Sequence, residues 1–567
     1  MMRWVYREGG SSPSDSLVER VLAVRGFVSD DARAQDDARR DYLSPQYSAL
    51  YSPLLFKQMS LAVSRILQAR EQGETVAIVG DYDADGVTAA ALLCRVCAAL
   101  AMRPPVVLLP HRLHDGYGLT PDMVTRALGR GATLIITVDT GINGFEAGRL
   151  AQERGIDLII TDHHQVIGAI PPCFALINPW APGETYPFKE LAGVGVAYKL
   201  AAAVLARVCT AAETERFLKW SFDLVAIGTI ADLAPLTDEN RIFVYHGLRV
   251  IEKPRSPGLR ALLRVCNLVP PFDTETVSYR LAPRINAAGR IADPQLALDL
   301  FLEEDEEKCL CLARELDRLN GKRQALVLAA MKETDACLQP QDREDGILIV
   351  KSSSWPQGIV GLIAGKLSER ALLSVIVMSN THDPDVYVAS CRFRPGLDAA
   401  EFIDHFRDMF LRGGGHAAAG GFSIGSDKAA LFEEQARSWA SERWKENRQD
   451  TPLCIDLDIT GADCTYENAQ ALQELAPFGA GNPEPVFALS GARVENIRML
   501  GEQGQHRQMR VQAQDQNFLD TITFNMPSDA QTFRKGERVS LAANLRVNTY
   551  NGARRVQLVV HDARRET

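Results

Sequence analysis

The sequence predicts an α/β protein made of a parallel-sheet domain, a second and smaller α/β domain, and a C-terminal β-barrel. Three patterns carry that expectation. Short apolar runs recur between helical patterns from residue 75 to about 235: VAIV at 76, PVVLL at 105, TLIITV at 133, DLIIT at 157 and FALIN at 174. Strands alternating with helices imply a parallel sheet covered on both faces. The alternation returns after residue 340, and from about 452 it gives way to short strands at close intervals, which suits a small barrel. A chain of 567 residues exceeds what one hydrophobic core holds, so several domains are expected.

In chain order, residues 1–70 read as a polar, helical N-terminal extension, with SLVERVLAVRG placing apolar residues at helical spacing. Residues 71–294 form the first α/β domain. Residues 295–340 are read as a connecting helix or helix pair, with a long helical period that runs without proline from about 295 to 338 and ends where QPQDREDG breaks the pattern. Residues 341–445 hold the strand runs GILIV, SVIVM and VYVAS around the helical stretch GIVGLIAGKLSER. Residues 452–567 supply the barrel strands ARVENIRML, QMRVQAQD, FLDTITFN, RVSLAANLRVN and RRVQLVVHD.

Composition excludes several classes. At 46% hydrophobic and 24% charged, the chain is an ordinary globular one. No apolar run approaches the roughly 18 residues of a membrane helix, and the start MMRWVYREGG lacks a signal peptide's apolar stretch, so a cytoplasmic location is expected. The formal charge of −10 argues against a uniformly basic nucleic-acid coat but leaves room for a local basic channel. The 11 cysteines are scattered, and the close pairs Cys94/Cys97 and Cys309/Cys311 fall in helical patterns without partners at zinc spacing, so they read as reduced core residues. No G-x-x-x-x-G-K-[ST] is present, which disfavours a P-loop motor.

The chemistry starts with VAIVGDYDADGVTAAALL. Asp81, Asp83 and Asp85 follow a strand and precede a helix, so they sit at a strand's carboxyl end, where open α/β sheets place ligands. Carboxylates this close must protonate or surround a cation. An EF-hand loop is excluded, because its twelfth position, a bidentate Glu, is here Leu92, and a strand precedes the loop. TLIITVDTG ends in Asp139, DLIITDHHQ ends in Asp162, His163 and His164, and SFDLVAIGTIADLAPL brings in Asp232. Parallel strands carry such ends to one edge, where they can meet. Carboxylates suit Mg²⁺ or Mn²⁺, with imidazole favouring Mn²⁺. Two ions about 4 Å apart can hold an attacking hydroxide and the leaving oxygen of a phosphoester. Asp139 is the expected bridging carboxylate, His163 a ligand, His164 a contact to the scissile phosphate or leaving oxygen, and Asp162 the residue that orients a histidine.

DYDADG, VDTG, TDHH and GTIADLAPL resemble, in order and spacing, the four signature motifs of the DHH phosphoesterases. PHRLHDGYGL, LAGVGVAYKL, APRINAAGRIADP, GGGHAAAGGFSI and LAPFGAGNPEP extend the resemblance over nearly the whole chain, toward the family's single-stranded-DNA exonucleases. The resemblance implies a DHH domain, a DHH-associated domain and an OB-fold domain. It also implies hydrolysis of single-stranded DNA from the 5′ end to 5′-mononucleotides, roles in recombination and repair, and a monomer. Its implied partners are a single-strand-binding protein and a recombination helicase.

The remaining motifs offer phosphate contacts. Arg284, Asn286 and Arg290 combine guanidinium forks and an amide among small residues. Gly413–Gly415 free the backbone to approach an anion, with His416 as a donor; a glycine-rich helix-capping turn is the alternative. Arg392, and less clearly Arg394, suit a phosphate, and Tyr117 suits stacking on a base or sugar. Arg546, Arg554 and Arg555 suit either a strand-binding groove or a solvated face. Two stretches depart from the family pattern: Trp355-Pro356-Gln357-Gly358 where Trp-His is usual, and Ser390-Cys391-Arg392-Phe393 where Ser-Gly-Arg-Ser is usual. They bear on substrate length preference or affinity, not on the metal ligands. Rival readings are a DHH enzyme for short oligonucleotides or small phosphate esters, which needs no OB-fold, and a silent binding scaffold, whose mark is lost metal carboxylates.

Overall fold

Strand β1 (Arg3–Tyr6) begins a chain whose computed structural model describes residues 2–8, 15–27, 32–111, 118–166, 168–334, 337–380, 383–447, 452–501, 504–524, 532–550 and 553–566. The first domain is built on β2 (Thr75–Gly80), β3 (Val106–Leu108), β4 (Ala132–Val138), β5 (Asp157–Thr161) and β6 (Ala175–Ile177). They pair in the order β3-β2-β4-β5-β6, every pair parallel. Side chains alternate across a strand, and here both faces are covered. Val76 and Ile78 pack with the helices Ala84–Ala99 and Gly193–Val208, while Ala77 and Val79 pack with Pro121–Gly129 and Phe145–Glu153. Double burial explains why these strands read as unbroken apolar runs.

The second domain contains β7 (Ile347–Ser352), β8 (Ser374–Ser379), β9 (Val386–Arg392), β10 (Phe410–His416) and β11 (Ala419–Gly425), ordered β10-β11-β9-β8-β7. Only β7–β8 is parallel. The glycines of RGGGH lie inside β10, an edge strand, and not in a turn that caps a helix. Antiparallel pairing with β11 engages the backbone groups on one side of the strand and leaves the alternate ones at the sheet's edge. The helix Glu306–Thr334 joins the two α/β domains.

The C-terminal part comprises β12 (Pro452–Ile455), β13 (Leu457–Asp458), β14 (Phe487–Leu500), β15 (His506–Gln512), β16 (Phe518–Thr523), β17 (Arg538–Tyr550) and β18 (Ala553–Arg565). Pairing runs β14-β15-β16-β18-β17 and returns from β17 to β14, closing a five-stranded barrel with β13 added beside β14. Closure removes the sheet's open edges.

The N-terminal residues do not form one separate helical extension. β1 pairs in parallel with β12, and Leu17, Val21 and Leu22 join the barrel core around Leu457, Phe487 and Val539. Phe56, Met59 and Val63 belong instead to the core of the first domain. The amphipathic stretch 17–24 needed an apolar surface to cover, and the nearest one comes from residues more than four hundred positions later in the chain. Among the described residues, no helix is long and apolar enough to cross a membrane.

Candidate active site

Strand register brings the acidic motifs level. Gly80 pairs with Val138 and Val138 with Thr161, so Asp81, Asp139 and Asp162 leave adjacent parallel strands at one edge of the sheet. Asp83 is the N-cap of the helix Ala84–Ala99, accepting from Asp85 N and Gly86 N at 3.1 Å each. Asp85, in that helix's first turn, accepts from the first backbone amides of another helix, Gly193 N at 2.7 Å and Val194 N at 2.8 Å. Both helix N-termini favour carboxylate there. Asp232 is the C-cap residue of the helix Phe222–Ala231.

These elements converge on His163. Its Nε2 lies 3.1 Å from Asp139 Oδ1, 3.8 Å from Asp232 Oδ2 and 4.0 Å from Asp85 Oδ2. Asp81, Asp83 and Asp139 form a second acidic group, and Asp139 with His163 and His164 a third, each with ligand atoms within 4.8 Å of one another. Asp139 is buried and holds φ at +58°, a left-handed conformation that costs an L residue about 1–3 kcal/mol and persists where surroundings enforce it.

The electrostatics are those of crowded acids. Burial, then Asp85, Asp83, Asp81 and Asp232, holds the Asp139 carboxyl well above the usual range. Burial, then Asp232, pushes Asp85 up to about 7, and burial, then Asp83, does the same for Asp232. Burial lowers His163, which favours the neutral imidazole a metal requires. Asp139 Oδ1 and His163 Nε2 face each other, buried, with no hydrogen-bond partner for either. Two orphaned ligand atoms inside an over-acidic pocket are the arrangement that a divalent cation satisfies, so these residues fit the ions that the sequence suggests.

Asp162 serves a different purpose. One of its oxygens accepts from His163 N at 2.7 Å, His164 N at 3.1 Å and His164 Nδ1 at 2.8 Å, while the other accepts from Ile142 N at 2.9 Å. Burial by itself lowers His164, but the bond to Asp162 and the charges of Asp162, Asp81 and Asp232 outweigh it and carry His164 to about 9. The contact with Asp162 thus favours the protonated form of His164 beside the acidic group.

A second polar centre lies where the two α/β domains meet. A Cβ on Gly361 would lie 3.3 Å from Ser390 Oγ and 3.5 Å from an Arg392 guanidinium nitrogen, so both groups face the first turn of the helix Val360–Ala371. Arg290 reaches the same place from the first domain, its guanidinium 3.5 Å from the Gly358 carbonyl. Arginines beside a helix start suit an anion, and Arg392 already donates to Ser390 Oγ at 3.1 Å and to the Cys391 carbonyl at 2.8 Å. His416 ends β10, and its pair Ala419 is itself paired with Arg392, so His416 lies two strands, about 10 Å, from that arginine.

Other expected contacts are placed differently. Arg284 is bound to Asp317 at 2.8 Å and to the Arg280 carbonyl at 2.6 Å, and the Asn286 amide oxygen accepts from Ala84 N at 2.7 Å. Arg546 bridges the buried Glu484 and Glu275 of the first domain, tying the barrel to that domain. Arg554 donates to Tyr466 at 3.2 Å. Tyr117 lies outside the described residues. Of the departures from the family pattern, Phe393 packs edge-on against Phe402 in the second domain's core, and Pro356 precedes the turn Gln357–Ile359, its carbonyl accepting from Ile359 N at 3.0 Å.

The chain matches the DHH family N-terminal domain over residues 75–229, the DHHA1 domain over 344–442 and the RecJ OB domain over 455–562. It is 33% identical to the single-stranded-DNA-specific exonuclease RecJ of Bacillus subtilis, the match covering 99% of this chain and 71% of that protein. The RecJ of Escherichia coli K12 is also 33% identical, over 96% of this chain and 95% of its own. The chain belongs to the RecJ family. The crystal structure of Thermus thermophilus RecJ in complex with Mn²⁺ superposes with a TM-score of 0.81 at 27% identity, covering 100% of this chain and 80% of that one.

The RecJ framework includes parts that motif reading missed. Gly193 brings a helix start against Asp139 and Asp85, and Gly361 opens the helix start facing Arg392. Gly193 lies in LAGVGVAYKL, one of the stretches that carry the family resemblance, whereas the signal for Gly361 is a small residue inside the apolar run GIVGLIAG, which is common in any buried helix.

Proposed function

We propose that this chain is a two-metal-ion exonuclease that removes 5′-mononucleotides from single-stranded DNA in the 5′ to 3′ direction. The observation that carries the proposal is the convergence of Asp81, Asp83, Asp85, Asp139, His163 and Asp232 around two orphaned ligand atoms. Asp139 belongs to two of the three candidate ligand groups, which supports a bridging role. Asp81, Asp83 and Asp139 would hold one ion; Asp85, His163 and Asp232 would hold the other, with Asp139, 3.1 Å from His163, shared between them. The ions supply a hydroxide at neutral pH and charge to stabilise the phosphoester's developing oxyanions.

The chain's own groups do the rest. His164, aimed by Asp162, which favours its protonated form, donates to a non-bridging phosphate oxygen or the leaving oxygen. Arg290, Arg392, Ser390 and the helix start at Val360 receive the terminal 5′-phosphate. The barrel holds the strand that follows.

The test is nucleotide release from single-stranded and duplex DNA labelled at one end, with Mn²⁺, Mg²⁺ or EDTA. Metal-dependent stepwise loss from the 5′ end of the single strand alone is expected. Release from the 3′ end, or release unaffected by EDTA, would overturn the proposal.

A further inference from the structure

The loop that carries Asp81 and Asp83 is held from outside by one face of the helix Ala282–Ile291. Asn286 accepts from Ala84 N at 2.7 Å, the first residue of the helix that follows the loop. One turn on, Gly289 lies so close to Tyr82 that a Cβ there would collide with the Tyr82 carbonyl and come within 3.0 Å of Tyr82 Cβ. Residues 82 and 84 flank Asp83 and follow Asp81, so these two contacts bracket the acidic loop.

The bracing helix is itself pinned. Arg284 is fixed to Asp317 on the helix Glu306–Thr334, and a Cβ on Gly358 would lie 2.7 Å from the Arg290 carbonyl carbon, which leaves that end no room to slide. Arg284 and Asn286, whose residue types suggest phosphate binding, instead anchor a rigid bar. We propose that Asn286 is a positioning residue: its amide oxygen, with Gly289 as the close-contact partner, sets the loop in which Asp81 and Asp83 present themselves to a metal ion. The inference rests on the reading of this cluster as a metal site.

Removing a residue that orients a metal ligand typically weakens metal affinity by about 10–100-fold. The experiment titrates Mn²⁺ into the full chain and follows free Mn²⁺ by electron paramagnetic resonance. In parallel, affinity for a 5′-phosphorylated oligothymidylate is measured in EDTA by fluorescence anisotropy, so that no cleavage occurs. Asn286→Ala is expected to weaken Mn²⁺ binding by about tenfold and to leave oligonucleotide affinity unchanged. Asn286→Asp, which keeps an acceptor for Ala84 N, is expected to restore Mn²⁺ binding. Gly289→Ala reaches the same loop from the Tyr82 side and is expected to weaken Mn²⁺ binding as well.

Normal Mn²⁺ binding by Asn286→Ala together with lost oligonucleotide affinity would make Asn286 a substrate contact and refute the positioning role. So would an Asn286→Asp variant as weak for Mn²⁺ as Asn286→Ala. Absence of Mn²⁺ binding by the unmodified chain would instead remove the metal-site reading, which separates the two failures. Circular dichroism and thermal melting of each variant identify loss of fold, and Asn286→Asp retains the test if Asn286→Ala does not fold.

Discussion

Gly193→Ala is a one-carbon change whose effect is worked from the geometry. Gly193 starts the helix Gly193–Val208, and its N–H donates to Asp85 at 2.7 Å. A Cβ at this position would lie 2.5 Å from Asp139 Cβ and 2.6 Å from Asp139 Cγ. Non-bonded carbons settle about 3.5–4.0 Å apart, so the helix start and the Asp139 side chain must separate by about 1 Å. Neither yields freely. Asp139 is fixed at the end of β4, and the helix start is held by both oxygens of Asp85. A displacement of about 1 Å at a reacting centre costs about 100-fold in rate. Overpacking of this kind costs about 1–3 kcal/mol of stability, so the variant is expected to fold. Gly195→Ala is the matched control, because the three atoms nearest its Cβ all belong to the Leu191 side chain, at 3.3 Å or more. The assay is single-turnover release of 5′-nucleotides from single-stranded DNA at saturating Mn²⁺, with strand affinity measured in EDTA. Gly193→Ala is expected to lose about 100-fold in rate while binding DNA normally. A folded Gly193→Ala variant that turned over as fast as Gly195→Ala would refute the placement of Asp139 at the reaction centre.

Asp139→Asn is expected to abolish cleavage while single-strand binding in EDTA survives; turnover at the unmodified rate would remove the bridging role. Asp162→Asn takes away the charge that raises His164, so its pKa is expected to fall from about 9 toward the ordinary histidine value, read by NMR titration of the imidazole. Asp85 and Asp232 are raised from 3.8 to about 7, so the folded chain keeps protons that the unfolded chain has already released. These two groups therefore make the metal-free protein less stable as pH rises from about 4 to about 7, and Mn²⁺ must displace their protons. Mn²⁺ affinity is expected to rise with pH through 7 and then level, with proton release below 7 measured by calorimetry in buffers of different ionisation enthalpy; a pH-independent affinity would contradict the assignment. Arg392→Ala is expected to raise KM for a 5′-phosphorylated strand by about 10–100-fold, the worth of a charge-assisted hydrogen bond, with a smaller change for a 5′-hydroxyl strand.

Local pattern alone determined much of this protein. Strands buried on both faces are continuous apolar runs, and a run such as TLIITVDTG shows both the strand and the acid at its end, because strand and ligand adjoin in the chain. That is why Asp81, Asp83, Asp85, Asp139 and His163 were legible as one cluster before any coordinates, whereas Asp232, at the end of the helix Phe222–Ala231, was legible through its motif GTIADLAPL. The barrel was legible in its closely spaced strand runs, although β14, β17 and β18, at 14, 13 and 13 residues, extend beyond the short strands those runs suggest, because closure gives them partners along that length. What tertiary structure decided is which residues meet across long separations. A polar side chain's type states what it can bond, not what it will find: Arg284 finds Asp317, Asn286 finds Ala84 N–H, and Arg546 finds Glu484 and Glu275, where each residue type equally suits a phosphate. The N-terminal helix 17–24 shows an apolar face but not its partner, and only folding assigns it to the barrel. Gly193 and Gly289 carry no chemistry in the sequence. Their importance is the absence of a side chain at points where two backbones or a backbone and a carboxylate come together, and that is a property of the assembled chain alone.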